Sequence, residues 1–100
     1  MSTYRLDRLF APRSVALVGA SPRPGSLGNA VFRNLRGAGF AGPLGLVNPR
    51  YGEIDGLPVV ASLRDLTEPP DVAVVAVPAD AVPAVVAEAA GLGVAAAVVI

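Results

Sequence analysis

The chain contains no cysteine, no histidine and no lysine. Without Cys there is no disulfide and no thiol nucleophile, without His no imidazole base, and without either no Cys/His metal cluster. Aromatic residues make up only 5% of the chain, so its interior must be filled by Val, Ala and Leu rather than by rings. Long uninterrupted apolar stretches are missing too. Asp80, Glu88, Pro78 and Pro83 break the apolar region from Val72 to Ile100. The charge-free remainder, Ala89 to Ile100, falls short of the roughly 20 residues of a membrane-spanning helix. Asp7, Arg8, Pro12 and Arg13 likewise interrupt any apolar core of a secretory signal. A cytoplasmic protein without a membrane partner is expected.

What the chain does have is a 53% hydrophobic content over 100 residues, enough for a single folded domain with its own core. Its charges balance overall but are sorted along the sequence. Seven arginines stand against Asp7 alone in residues 1–50, and Arg64 alone stands against seven acids in residues 51–100. That asymmetry points to an anionic partner for the first half, or to faces of opposite sign that meet in the fold.

Short apolar runs alternate with helical patterns. Ser14–Val18 reads as a buried strand, followed by a loop of Gly, Ser and Pro from Gly19 to Gly28 and a helix presenting Leu27, Ala30, Val31, Leu35 and Ala38. Gly37 and Gly39 supply its stop. Leu44–Val47 is a second strand, ending at Asn48-Pro49-Arg50. Tyr51–Gly56 reads as a polar loop with an Asp-Gly turn, and Leu57–Ala61 as a brief extended segment. A short helix follows from Ser62, with Asp65 at capping-box spacing. Val72–Val77 is the clearest strand, continuous rather than alternating, as for a strand covered on both faces. Asp80 is expected to cap a helix bearing Val82, Val85, Val86, Ala89 and Ala90 on one side, with Pro83 in its first turn. Ala95–Ile100 is the last strand. Strands alternating with helices imply right-handed crossovers and a Rossmann-like, doubly wound parallel α/β sheet. No helix follows the last strand to cover it, so the chain is expected to be an N-terminal fragment of a longer protein.

In such a sheet, ligands bind at the carboxyl ends of the strands, and a Gly-rich first loop lets a pyrophosphate approach a helix N-terminus. Gly19, Gly25 and Gly28 are placed for this, with Ser21 and Ser26 as hydroxyl donors and Arg23 nearby. A branched side chain at Gly25 is expected to fill the space a pyrophosphate needs. Six residues separate Gly19 from Gly25, unlike the compact dinucleotide loop G-x-G-x-x-G. At the end of the second strand, where an NAD site carries an acid for the ribose hydroxyls, stand Asn48, Pro49 and Arg50. An arginine there suits a phosphorylated ribose, as in CoA or NADP. Val77-Pro78-Ala79-Asp80 closes a third strand end onto a helix near the first loop.

The run LFAPRSVALVGASPRPGSLGNAVFRN from Leu9 to Asn34 resembles the start of the CoA-binding domain of NDP-forming acyl-CoA synthetases. These are the ADP-forming acetate–CoA ligases related to the succinyl-CoA synthetase alpha subunit, and the same domain occurs in some bacterial protein lysine acetyltransferases. The similarity continues through VNPRYGEIDGLPVVASLRDL and PDVAVVAVPADAVPAVV and covers nearly the whole chain. The resemblance implies that Gly19, Ala20, Ser21, Gly25, Ser26 and Gly28 form a phosphate loop for coenzyme A. It places Asn48, Pro49 and Arg50 near the adenosine phosphate, and Val77, Pro78 and Ala79 along the adenine or pantetheine path. The phosphoryl-carrying His of such synthetases has no counterpart in this chain. By this resemblance the chain, residues 1–100, binds CoA or acyl-CoA without catalysing, and its partners are downstream ligase or acetyltransferase domains rather than nucleic acid. The alternatives are a stand-alone CoA-binding module and an NADP-binding oxidoreductase domain.

Overall fold

The computed structural model describes residues 12–38 and 42–100. Tyr4 to Ala11 of the N-terminal lead, and Gly39 of the expected helix stop, lie outside them. Six strands form one sheet in the order β3-β4-β2-β1-β5-β6. β1 (Val15–Val18) lies at its centre, flanked by β2 (Leu44–Val47) and β5 (Val72–Val75), with β6 (Ala96–Val99) beyond β5 and β4 (Leu57–Val60) beyond β2. These five strands run parallel. β1 is buried at all four positions and β5 at three of four, which is why both read as continuous apolar runs.

The sixth strand departs from expectation. Tyr51–Gly56 is not simply a loop, because β3 (Glu53–Ile54) pairs antiparallel with β4. Asp55 and Gly56 turn the hairpin with φ of 51° and 79°. Positive φ at both central residues of a two-residue turn is the type I′ pattern, whose twist matches that of paired strands. Ile54 is buried by the hairpin, a residue a loop would have left in solvent.

Two cores lie on opposite faces of the sheet. Under α1 (Leu27–Gly37), Phe32 packs with Leu17, Leu46, Ile54 and Val59. The inward stripe of α1 is Gly28, Val31, Phe32 and Leu35, rotated from the expected one. Leu27, Ala30 and Ala38 are exposed. Arg36 lies over the Phe32 ring at 5.6 Å and pairs with Asp55 of the hairpin at 3.8 Å. The second core joins Ala16, Val18, Val47 and Ala73 to Leu63 and to Ala89 of α2 (Val82–Gly91). Here the inward side of α2 comprises Val82, Val85, Glu88 and Ala89, while Val86 and Ala90 are exposed. Asp80 does not cap this helix. A 3-10 turn at Ala79–Ala81 starts on Pro78 and runs straight into α2, whose N-cap is Ala81 with no side-chain bond. Pro83 lies in the first turn, where its missing N–H breaks no helical bond. A second 3-10 turn, Leu63–Asp65, precedes β5, and the Ser62 N–H donates to the Asp65 carboxylate at 3.2 Å, as the spacing predicts.

Replacing Phe32 by Ala should lower unfolding free energy by about 3–5 kcal/mol, since the cavity lies between helix and sheet. Replacing the exposed Val98 by Ala should cost less than about 0.5 kcal/mol. Urea denaturation followed by circular dichroism separates the two. Equal losses would show that Phe32 is not a core residue.

Candidate functional site

The carboxyl ends of β1, β2, β4 and β5 open into one cleft of about 720 Å³. Its floor is set by a backbone contact. A Cβ at Gly28 would overlap the Gly19 carbonyl oxygen, and one at Gly19 would overlap the Ala76 carbonyl oxygen. Two glycines therefore let the start of α1 lie directly on the first loop, and the loop lie directly on the end of β5. The Gly19 N–H donates to Val47 O at 2.8 Å and ties the loop to β2 as well.

The loop from Arg23 to Ser26 is a single hydrogen-bonded turn. The Ser26 N–H donates to Arg23 O at 3.2 Å across Pro24 and Gly25, and Gly25 has φ of 83°. Pro followed by a positive-φ Gly is the type II signature. The Ser26 hydroxyl donates to Arg23 O at 2.8 Å and accepts the Asn29 N–H at 3.2 Å as the α1 N-cap. Helix geometry leaves the N–H groups of Leu27 and Gly28 without intrahelical acceptors, and both residues line the cleft. Such amides, at the positive end of the helix dipole, form an anion seat. Ser21 Oγ accepts the Arg23 N–H at 3.1 Å, and Asn29 Nδ2 donates to Ser21 O at 3.0 Å, so the loop is braced from both ends.

Asn48 joins three strand ends. Its N–H donates to Val60 O at 2.9 Å, its Nδ2 donates to Ala20 O at 2.8 Å, and its Oδ1 accepts the Arg50 N–H at 2.9 Å. Its amide is thus committed to the frame, and it aims the Pro49-Arg50 turn at the cleft. Arg23 and Arg50 line the cleft and have no carboxylate partner among the described residues.

Of the residues expected at the site, Gly19, Ser21, Ser26, Gly28, Asn48, Pro49, Arg50, Val77 and Pro78 line this cleft. Ala20, Gly25 and Ala79 do not. Ala20 is fully buried beneath the loop and contributes its carbonyl to Asn48. Ala79 is exposed in the 3-10 turn. A Cβ at Gly25 would meet no protein atom within 4 Å, and its φ of 83° suits the turn it closes. Several lining residues are not legible in the sequence, notably Tyr51, Arg64, Val85 and Glu88. Glu88 could have been found from its position one turn beyond Val85 on the inward side of α2. Among the described residues no cluster of three or more metal-ligating side chains occurs, and no helix is long and apolar enough to cross a membrane.

A doubly wound sheet whose strand ends carry a glycine-bound loop, an open helix N-terminus and unpaired arginines defines a domain for a phosphorylated nucleotide. Residues 13–100 match the CoA-binding domain family, and the chain belongs to it as a CoA-binding domain. It is 45% identical over 83 residues to the ADP-forming acetate–CoA ligase I of Archaeoglobus fulgidus, covering 83% of this chain and 12% of that protein. To the corresponding ligase of Methanocaldococcus jannaschii it is 39% identical, covering 97% of this chain and 14% of the ligase. The chain thus spans about an eighth of the length of these curated relatives. Among solved structures, the dinucleotide-forming acetyl-coenzyme A synthetase 1 of Ca. Korarchaeum cryptofilum, in complex with phosphate and ADP, superposes with a TM-score of 0.82 at 39% identity. That match covers 88% of this chain and 19% of the synthetase chain. The Rossmann-like class expected from the alternation of elements is therefore the class observed, and coenzyme A is the ligand of the family.

Because Gly28 touches backbone and Gly25 touches nothing, their alanine variants should differ. Gly28→Ala must push α1 off the loop, lowering stability by several kcal/mol or preventing folding, whereas Gly25→Ala bears only the strain of positive φ, about 1–2 kcal/mol. Thermal melts of the two variants check this, and a Gly28→Ala melt matching wild type would remove the contact from the fold.

Proposed function

We propose that the cleft holds coenzyme A and that the chain is the CoA-binding part of an NDP-forming acyl-CoA synthetase acting in the cytoplasm. The observation that carries this is the meeting, in one cleft, of two open helix amides and two arginines without carboxylate partners, in a chain of the CoA-binding family. The Leu27 and Gly28 amides would take the pyrophosphate, with Ser21 and Arg23 beside them. Arg50, aimed by Asn48, would take the ribose phosphate through forked, charge-assisted bonds. Val77 and Pro78 offer an apolar wall for the pantetheine arm.

When bound, coenzyme A supplies a thiol as acyl acceptor. The chain's own residues hold it: they offer positive charge and amide donors, and they present no His or Cys to carry a phosphoryl or acyl group. The relatives named as acetate–CoA ligases support assigning those steps to the rest of such a ligase, of which this chain would be the coenzyme-presenting piece.

Calorimetry with CoA and dephospho-CoA tests the placement. Dephospho-CoA should bind at least about tenfold more weakly, the equivalent of a lost charged hydrogen bond of roughly 1.5–3 kcal/mol. Arg50→Ala should erase the difference between the two ligands. Equal affinities for the wild type would take Arg50 out of the site, and no CoA binding at all would remove the cleft assignment. A separate assay addresses chemistry. The purified chain, incubated with CoA, acetate, ATP and Mg²⁺, should form no acetyl-CoA above a buffer control by mass spectrometry, and sustained formation would contradict the coenzyme-presenting role.

A further inference from the structure

The far wall of the cleft carries a third arginine in a different state from the other two. Arg64 lies on the 3-10 turn after β4, lines the cleft and leaves 71% of its side chain exposed. Its Nε and Nη2 both donate to one oxygen of Glu88, at 2.9 and 2.8 Å. The other Glu88 oxygen accepts the Leu63 N–H at 3.2 Å, and the Glu88 side chain is only 19% exposed. Glu88 is therefore held by the turn as well as by α2, and it grips one edge of the guanidinium.

A guanidinium recognises a ligand in two ways. Its in-plane N–H edges bind phosphate or carboxylate, and its flat faces stack on aromatic rings. Glu88 occupies an edge and offsets the charge, so an incoming phosphate would have to compete with a carboxylate already in place. The faces stay available, and the carboxylate fixes the plane in which they lie. The surroundings agree, since Ala61, Ala84 and Val85 line the cleft with small apolar groups, and Leu63 and α2 belong to the core on the sheet face opposite α1, whose start carries the open amides. The α2 side of the cleft thus offers small apolar groups to a flat, uncharged ring, while the α1 side offers open amides to a phosphate.

We propose that Arg64 is the residue on which the heterocyclic base of the bound nucleotide moiety stacks, and that Glu88 is the positioning residue that holds its guanidinium flat. This rests on the cleft being the coenzyme A site, and it adds two specificity residues from outside the loops already assigned.

The test uses the whole chain and CoA, with affinity by calorimetry and base stacking by loss of absorbance in the adenine band at saturating CoA. Wild-type protein should bind CoA and show the absorbance loss. Arg64→Ala should bind about tenfold more weakly, a loss of the size found for bases stacked on aromatic side chains. Arg64→Lys should weaken binding about as much despite keeping the charge, and both variants should lose the spectral change. Glu88→Gln, which can still accept the Leu63 N–H, should fall between them and wild type. Circular dichroism melts confirm that the variants fold. Wild-type affinity in Arg64→Lys, or a spectral change that survives in both Arg64 variants, would overturn the proposal while leaving the coenzyme site intact. So would a change kept in Arg64→Lys but lost in Tyr51→Leu, which would move the base onto the opposite wall. Failure of the wild-type chain to bind CoA would instead overturn the site assignment beneath it.

Discussion

Three backbones come closer at the head of the sheet than any side chain would permit. The first loop rests on the end of β5 at Gly19 and Ala76, and α1 rests on the first loop at Gly28 and Gly19. This contact decides where the helix begins and therefore where its uncapped amides point. The core under α1 depends on it as well. With the helix start pressed to the sheet, Phe32 one turn on reaches Leu17 and Leu46 and closes that face. The shape of the cleft and the hydrophobic core are thus two results of one steric constraint, and the absence of two Cβ atoms serves both.

Polar groups then divide between frame and ligand. Asn48 and Ser26 spend their side chains on backbone partners, joining β2 to the first loop and the turn to the helix. Their role is to orient Arg50 and the α1 amides. The sorted charges of the sequence meet across the fold at Arg36–Asp55, while Arg64–Glu88 pairs two residues of the second half. Arg23 and Arg50 remain beside the cleft without a carboxylate among the described residues, so part of the first half's positive charge is left for an anion.

The centre of the sheet was legible because its strands are covered on both faces and read as short continuous apolar runs, as Val15–Val18 and Val72–Val75 do. β3 was not, since two residues are too few to show any period, although its Asp55-Gly56 turn was visible. The faces of both helices were misplaced by a fraction of a turn. Leu27 and Ala30 looked apolar enough to face inward, but the Gly28 contact fixes the rotation of α1 and turns Phe32 in. Asp80 had the chemistry of an N-cap, yet a 3-10 turn took the chain into the helix without one. At the site, the near wall was readable because its residues follow one another along two loops. Arg64 and Glu88 are 24 positions apart, and only the packing of α2 against the turn before β5 brings them together.

The Ser26 hydroxyl, donor to the turn and acceptor from the helix at once, bears on the kinetics of the site. Turn, cap and first helical turn form one hydrogen-bonded unit, so the amides proposed to seat the anion are ordered by folding rather than by a ligand. A receptor of that kind loses little conformational freedom on complexation. Discrimination between related ligands then falls chiefly on how long each stays, with encounter rates much alike.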